Sequence, residues 1–228
     1  MTVNIHFLSA MKKCQEEKYE EAIPLFTQSL SLEPQHPESF FNRGLARFKL
    51  GHYQKAIQDY DEAINLSPYQ AELYSERGVA RHLSQDNRGA LEDLNRALEL
   101  DPQNPYRYSS RAYVRAFIGD TLGAIEDYKI AIVLDPEDAV AYNNLGLLEE
   151  KLGYKTSAHE RFERADALAD AGKTFEKPDL EDILKKYEAR QKAQAETRKI
   201  HQRQDNIDLS SSSKSFFSPL SGGGPTGV

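Results

Sequence analysis

The sequence repeats itself with a period of 34 residues. The period is visible in two columns of identical residues: Pro34, Pro68, Pro102 and Pro136, and Ala22, Ala56, Ala90, Ala124 and Ala158. Self-similarity of this length is typical of solenoids, in which each unit contacts only its neighbours. A solenoid presents a long continuous surface and no deep catalytic cleft, so the period favours binding over catalysis.

Five units share one register without insertions: residues 3–36, 37–70, 71–104, 105–138 and 139–172. In the second unit, apolar or small residues recur at helical spacing over 38–50, Gly51 interrupts the pattern, and 53–66 forms another helical stretch. Pro68 closes the unit, because the residue before a proline avoids the α region. Each unit is therefore predicted to be two helices joined by a short turn.

Large and small side chains occupy fixed places within the unit. The small places hold Ala10, Gly44, Gly78, Ala112 and Gly146 in one column, and the large places hold Phe26, Tyr60, Leu94, Tyr128 and Phe162 in another. Large side chains set against small ones at constant spacing are what closely packed helices require.

With these columns the sequence resembles the tetratricopeptide repeat. The places that define the repeat hold, in the second unit, Phe40, Gly44, Tyr53, Ala56, Tyr60, Ala63 and Pro68. The resemblance covers residues 3–172, about three quarters of the chain. It implies an all-α, right-handed superhelical solenoid of five helix-turn-helix repeats that binds peptides or proteins on its inner face, and it implies no catalytic activity.

The period ends after residue 172. An apolar stripe with spacing i, i+3, i+4 and i+7 follows: Leu180, Ile183, Leu184 and Tyr187. We interpret residues 173–204 as a C-terminal capping helix over the last unit with a polar helical extension. Residues 205–228 are rich in serine and glycine and are expected to be disordered.

Composition limits the partners. The net charge is −7, and residues 1–172 carry −9 of charge from 19 basic and 28 acidic residues. An acidic solenoid is a poor ligand for nucleic acid or anionic membranes and a better one for a basic or neutral protein. The sequence contains no long apolar run and no signal-peptide pattern. Its single cysteine, Cys14, fits a reducing compartment, so a cytoplasmic location without membrane insertion is expected.

Charged residues also recur with the period. The first helices of the three central units carry arginines four apart, and the second helices carry an aspartate in a shared column, namely Asp59, Asp93 and Asp127. In the fifth unit Glu149 and Arg161 stand in these places with their signs exchanged. This exchange favours structural ion pairs, namely Arg47–Asp59, Arg81–Asp93, Arg115–Asp127 and Glu149–Arg161. The alternative is a cationic ladder for phosphate or carboxylate groups.

The resemblance places a binding groove along the first helices. Its candidate residues are Phe7, Met11, Phe41, Asn42, Leu45, Val79, Tyr113, Asn143, Asn144 and Leu147. The apolar residues at the N-terminal end are a natural anchor site for a partner, and the asparagines can bond its backbone. The alternatives are that the apolar residues pack against each other or a neighbouring molecule, and that the asparagines are solvated surface.

One subfamily activity is excluded by the same columns. Tetratricopeptide co-chaperones clamp a C-terminal carboxylate with lysine, asparagine and arginine side chains. Here those places hold Phe7, Met11, Asn42, Glu72 and Glu76, and the two glutamates would repel a carboxylate. A carboxylate-clamp chaperone partner is therefore not expected.

Nothing in the sequence indicates catalysis. The six histidines are scattered without metal-ligand spacing, and no glycine-rich phosphate loop occurs. We expect no cofactor and no metal. The predicted function is a non-enzymatic adaptor or scaffold that holds a peptide or protein segment in its groove. The alternatives are a self-assembling module, associating through its apolar N-terminal end, and a regulatory subunit of an enzyme.

Overall fold

The structure is a computed structural model that describes residues 4–171. All described residues belong to one compact unit. The predicted capping helix at 173–204 and the predicted tail at 205–228 lie outside the described residues.

The described residues form ten α-helices and no strand. The helices are α1 (Ile5–Gln15), α2 (Tyr19–Leu32), α3 (Pro37–Lys49), α4 (Tyr53–Leu66), α5 (Ala71–Leu83), α6 (Asn87–Leu100), α7 (Pro105–Ile118), α8 (Thr121–Leu134), α9 (Ala139–Lys151) and α10 (Lys155–Asp170). They alternate as first and second helices of successive pairs, which we call units one to five. The predicted all-α helical repeat solenoid is confirmed.

Local sequence explains where the helices begin and end. Several first helices start at an asparagine or aspartate whose side chain accepts a backbone N–H, as Asn4 does from Phe7 and Asp138 from Ala141. The turn inside each unit contains one residue with positive φ: Glu17, Gly51, Gln85, Gly119 and Gly153. Glycine adopts this conformation without a steric penalty, which explains its use in three of the five turns.

The core follows the columns of large and small residues. The alanines at 22, 56, 90 and 124 are fully buried, and the rings or side chains of Phe26, Tyr60, Leu94 and Tyr128 are at most 1% exposed. Close approach is visible at Gly44, where an added Cβ would lie 2.6 Å from Cε1 of Tyr60. The first and second helix of each unit therefore interlock with little spare volume.

Helices pack mainly against their neighbours in sequence. In addition, α1 contacts α3, α3 contacts α5, and α5 contacts α7, so successive first helices lie side by side. The surface that these first helices form, from α1 to α9, is called the first-helix face below. It carries the candidate binding residues.

Candidate functional site

The recurring charges form a buried ion network between the two helices of a unit. Asp59, which is 2% exposed, binds both arginines of α3: Nη2 of Arg43 lies 2.6 Å from its Oδ1 and Nη1 of Arg47 lies 2.7 Å from its Oδ2. The same arrangement recurs in units three and four, where Arg77 and Arg81 bind Asp93, and Arg111 and Arg115 bind Asp127. The structure thus brings together the three Arg–Asp pairs expected from the sequence.

Unit five holds the pair with exchanged signs in a looser geometry. Nε of Arg161 lies 3.6 Å from Oε2 of Glu149. Both atoms are buried and make no hydrogen bond with any described residue. The residues are close enough to attract each other, but the charge-assisted hydrogen bonds of the central units are lacking here.

A second set of contacts, which sequence reasoning missed, links neighbouring units. Arg43 donates to Oγ1 of Thr27 at 3.1 Å, Arg77 to Oδ1 of Asp61 at 2.6 Å, and Arg111 to Oδ1 of Asn95 at 2.8 Å. Each acceptor stands 16 residues before its arginine, so a search for polar residues at this offset would have found them. These contacts engage further guanidinium donors inside the solenoid, which leaves fewer of them for an external anion.

The apolar candidates at the N-terminal end are largely used in packing. Phe7 and Met11 are half-buried against the cluster around Phe26, and the rings of Phe7 and Phe26 have centroids 6.0 Å apart. Phe41 and Leu45 are likewise half-buried against the cluster around Tyr60. The structure therefore places these four side chains as the packing interpretation expects, with only part of each surface open to a partner.

A cleft opens instead in the middle of the first-helix face. Its volume is about 300 Å³, and apolar atoms provide most of its lining. The walls come mainly from α3, α5, α7 and α9, including Phe48, Val79, Tyr106, Tyr113 and Val140, with Tyr128 of α8 behind them. Val79, Tyr113 and Asn144 are candidates from the sequence. Phe48, Tyr106 and Val140 were missed because their exposure depends on how successive units are rotated.

His82 forms part of the same cleft without being a free titratable group. It is buried, its Nδ1 lies 2.7 Å from Oδ1 of Asn87, and its ring meets those of Tyr113 and Phe117 edge to face. Burial lowers the pKa of His82, so the imidazole is neutral at pH 7. It acts as an aromatic wall.

The three asparagine candidates differ in their surroundings. Asn144 is only 3% exposed, and its Nδ2 donates to Oη of Tyr128 at 3.1 Å. It is therefore not solvated surface, and it lines the cleft with one of its N–H groups bound to Tyr128. Nδ2 of Asn42 donates to the carbonyl of Glu38 in its own helix at 2.8 Å. Asn143 is half-buried, as is Leu147, and neither lines the cleft.

Glu76 stands in unit three where Asn144 stands in unit five. It makes no hydrogen bond and no salt bridge with any residue in 4–171. The pKa of its carboxyl is raised to about 7, chiefly by burial and also by the charge of Glu72, while Lys49 opposes the shift. The sequence interpretation used Glu76 only to exclude a carboxylate ligand.

Residues 4–171 contain neither a metal site nor a membrane-spanning helix. Within residues 4–171, no group of three or more His, Cys, Asp and Glu side chains is arranged to hold a metal ion. None of the ten helices combines the length and apolar character needed to cross a bilayer.

Solved structures with the same architecture are known. MamA resembles this chain with a TM-score of 0.66 and 24% identity over 72% of this chain and 95% of its own. MamA from Desulfovibrio magneticus RS-1 gives a TM-score of 0.68 with 20% identity over 75% and 96%. YrrB, a TPR protein with an unusual peptide-binding site, gives 0.60 with 18% identity over 72% and 84%. At such identities the likeness shows the fold.

Sequence profiles agree with the fold. A tetratricopeptide repeat profile matches residues 13–75 and a TPR repeat profile matches residues 118–153. No curated protein matches the chain significantly. The period, the paired helices, the profile matches and the similar structures together identify the chain as a tetratricopeptide repeat protein.

Proposed function

We propose that this protein is a non-enzymatic adaptor that binds a peptide segment of a partner protein on its first-helix face. The observation that carries the proposal is the cleft of about 300 Å³ between α3, α5, α7 and α9. It is predominantly apolar and bordered by polar groups, which is the usual character of a site for one anchoring side chain.

The mechanism is burial of an apolar side chain against Val79, Tyr106 and Tyr113. Tyr106 is 39% exposed, so it offers apolar area that a ligand can cover. Burying one large apolar side chain contributes about 1.5–3 kcal/mol, which gives micromolar affinity only together with contacts along the peptide. The remaining candidates from the sequence, such as Phe41 and Asn143, extend this surface to either side.

The anchor is assigned to the central cleft because the N-terminal candidates are already packed. Phe41 and Leu45 contact the cluster around Tyr60, so a partner there meets only the outer edges of their side chains. Membership of the tetratricopeptide repeat family supports a protein-interaction role in general. The peptide-binding site of YrrB supports peptide recognition by this fold.

The experiment is a selection followed by titration. A displayed library of linear peptides of about twelve residues is selected on the purified protein, and dissociation constants are measured by calorimetry. Val79→Asp places a charge in the cleft and is expected to weaken binding more than about tenfold. The matched control is Val133→Asp on α8, because Val133 is 79% exposed and lies outside the cleft. Equal affinities for both variants would contradict the proposal.

A second candidate is self-association through the N-terminal end. Ile5 and Leu8 on α1 are 71% and 54% exposed, which is unusual for side chains of their size at neighbouring positions. Light scattering after size exclusion tests this candidate. A dimer that Leu8→Lys converts to monomer would support it, and a monomer at high concentration would exclude it.

A further inference from the structure

Two buried tyrosines in equivalent places have different surroundings. Tyr60 and Tyr128 are at most 1% exposed, and each is followed 16 residues later by a polar residue on the next first helix. Oη of Tyr128 accepts a hydrogen bond from Asn144 at 3.1 Å. Oη of Tyr60 is buried and has no hydrogen-bond partner among the described residues. Glu76 stands where Asn144 stands relative to Tyr128, but it forms no hydrogen bond with Oη of Tyr60.

Glu76 is itself without a partner. The residue is half-buried, and its carboxylate forms no hydrogen bond or salt bridge within the described part of the chain. The charged and titratable groups that act on it are Glu72 of α5 and Lys49 of α3, and its own charge acts on Tyr60 of α4 and Tyr106 of α7. A carboxylate withdrawn from water without a partner is unfavourable, and a cation beside it removes that cost.

Glu76 lies next to the cleft on α5. It precedes Val79 by three residues on α5, so the two side chains lie on the same face of the helix, about 5–6 Å apart at Cβ. Tyr106 borders both, since it lines the cleft and its pKa is raised to about 12 by burial and then by the nearby charge of Glu76. When an apolar side chain of a peptide fills the cleft, a neighbouring side chain of the same peptide therefore lies near Glu76.

We propose that Glu76 binds a lysine or arginine side chain of the peptide whose apolar residue fills the cleft. This inference rests on the proposed function and assigns the chemistry of its ligand. The charge of −9 on residues 1–172 complements a basic peptide and speeds its association. In an extended peptide, side chains two residues apart point the same way and lie about 6.6–7 Å apart. The expected ligand is therefore a three-residue peptide motif with an apolar residue at one end, lysine or arginine at the other end, and any residue between them. Either order along the chain satisfies this spacing.

The test uses the peptides selected on the wild-type protein. We expect lysine or arginine to be enriched two positions from a large apolar residue. Glu76→Gln keeps the shape of the side chain and is expected to weaken binding about tenfold. Glu62→Gln on α4 is the control, because it removes the same charge from an exposed position outside the cleft, and it is expected to bind as wild type does.

The contact is isolated by a double-mutant cycle. Replacing the basic residue of the peptide by norleucine is expected to cost about tenfold against wild type and nothing against Glu76→Gln. With a histidine-free peptide, affinity for wild type is expected to rise about tenfold from pH 6 to pH 8 as Glu76 ionises, and to stay flat for Glu76→Gln. Thermal melting verifies that both variants are folded.

The outcomes separate this inference from the proposed function. If Val79→Asp abolishes binding while Glu76→Gln binds as tightly as Glu62→Gln, the contact with Glu76 is refuted and peptide binding in the cleft still stands. If the selected peptides bind Val79→Asp as tightly as wild type, peptide binding in the cleft is itself refuted. If norleucine weakens both proteins equally, the basic residue contacts some other group and the assignment to Glu76 is wrong.

Discussion

Arg77 binds two aspartates that belong to different units. Its Nη2 lies 2.6 Å from Oδ1 of Asp93 in its own unit, and its Nη1 lies 2.6 Å from Oδ1 of Asp61 in the preceding unit. Arg43 and Arg111 repeat the arrangement with polar partners of the preceding units. One guanidinium therefore fixes the two helices of a unit to each other and to the helix before them.

The two aspartates are expected to contribute unequally to stability. Asp93→Ala leaves two arginines facing an empty buried place and should lower the free energy of unfolding by about 3 kcal/mol. Asp61→Ala removes a carboxylate that is 44% exposed and should cost less than about 1 kcal/mol. Urea denaturation at one pH measures both. Equal losses would show that burial does not govern this network.

The pair with exchanged signs in unit five offers a charge-swap test. Glu149→Arg alone places two cations together in a buried position and should destabilise the protein by about 3 kcal/mol. Adding Arg161→Asp restores opposite charges and should recover more than about 1 kcal/mol of the loss. The double variant is compared with both single variants by urea denaturation. A double variant as unstable as the two losses added together would mean that the residues do not interact.

Gly44 tests the close contact between the helices of unit two. A Cβ at this position would lie 2.6 Å from Cε1 of Tyr60, so Gly44→Ala forces the ring to move and should cost about 1–3 kcal/mol. The matched change is Gly78→Ala, whose nearest contact is Cγ of Leu94 at 3.0 Å and which should cost less. Thermal unfolding ranks the two variants. A larger loss of stability for Gly78→Ala than for Gly44→Ala would show that the spacing of the helices adapts to the added methyl group.

Glu76 is expected to make stability depend on pH. Its pKa is about 7 in the folded protein and 4.5 without these surroundings, so the folded state binds the proton more tightly. Its contribution to stability is therefore complete below pH 4.5 and is lost as pH rises through 7.

Glu76→Gln removes this dependence. The variant should exceed wild type by roughly 2 kcal/mol at pH 8 and match it near pH 4. Denaturant titrations at the two pH values measure the difference, with Glu62→Gln as the control for net charge. A constant difference between Glu76→Gln and wild type at both values would contradict the raised pKa.

The helix pairs and their interlocking columns were predictable because the 34-residue period repeats the same packing five times. The Arg–Asp pairs were predictable for the same reason. The charges at 149 and 161 are both exchanged relative to the other units, which indicates that the two positions are in contact. The cleft was not predictable. Whether Phe41 or Tyr106 faces a partner depends on the rotation between successive units, which no single column encodes. Asn144 lines the cleft, but its hydrogen bond to Oη of Tyr128 was not predictable, because a tyrosine is polar only at the tip of its ring.

The most direct test of the groove is to map a selected peptide onto the folded protein by NMR. Amide signals of the ¹⁵N-labelled protein are followed during the titration. Shifts should concentrate on α5, α7 and α9, around Val79, Tyr113 and Val140, and should disappear for Val79→Asp. Shifts confined to α4 and α6, or to residues 172–228, would contradict binding on the first-helix face.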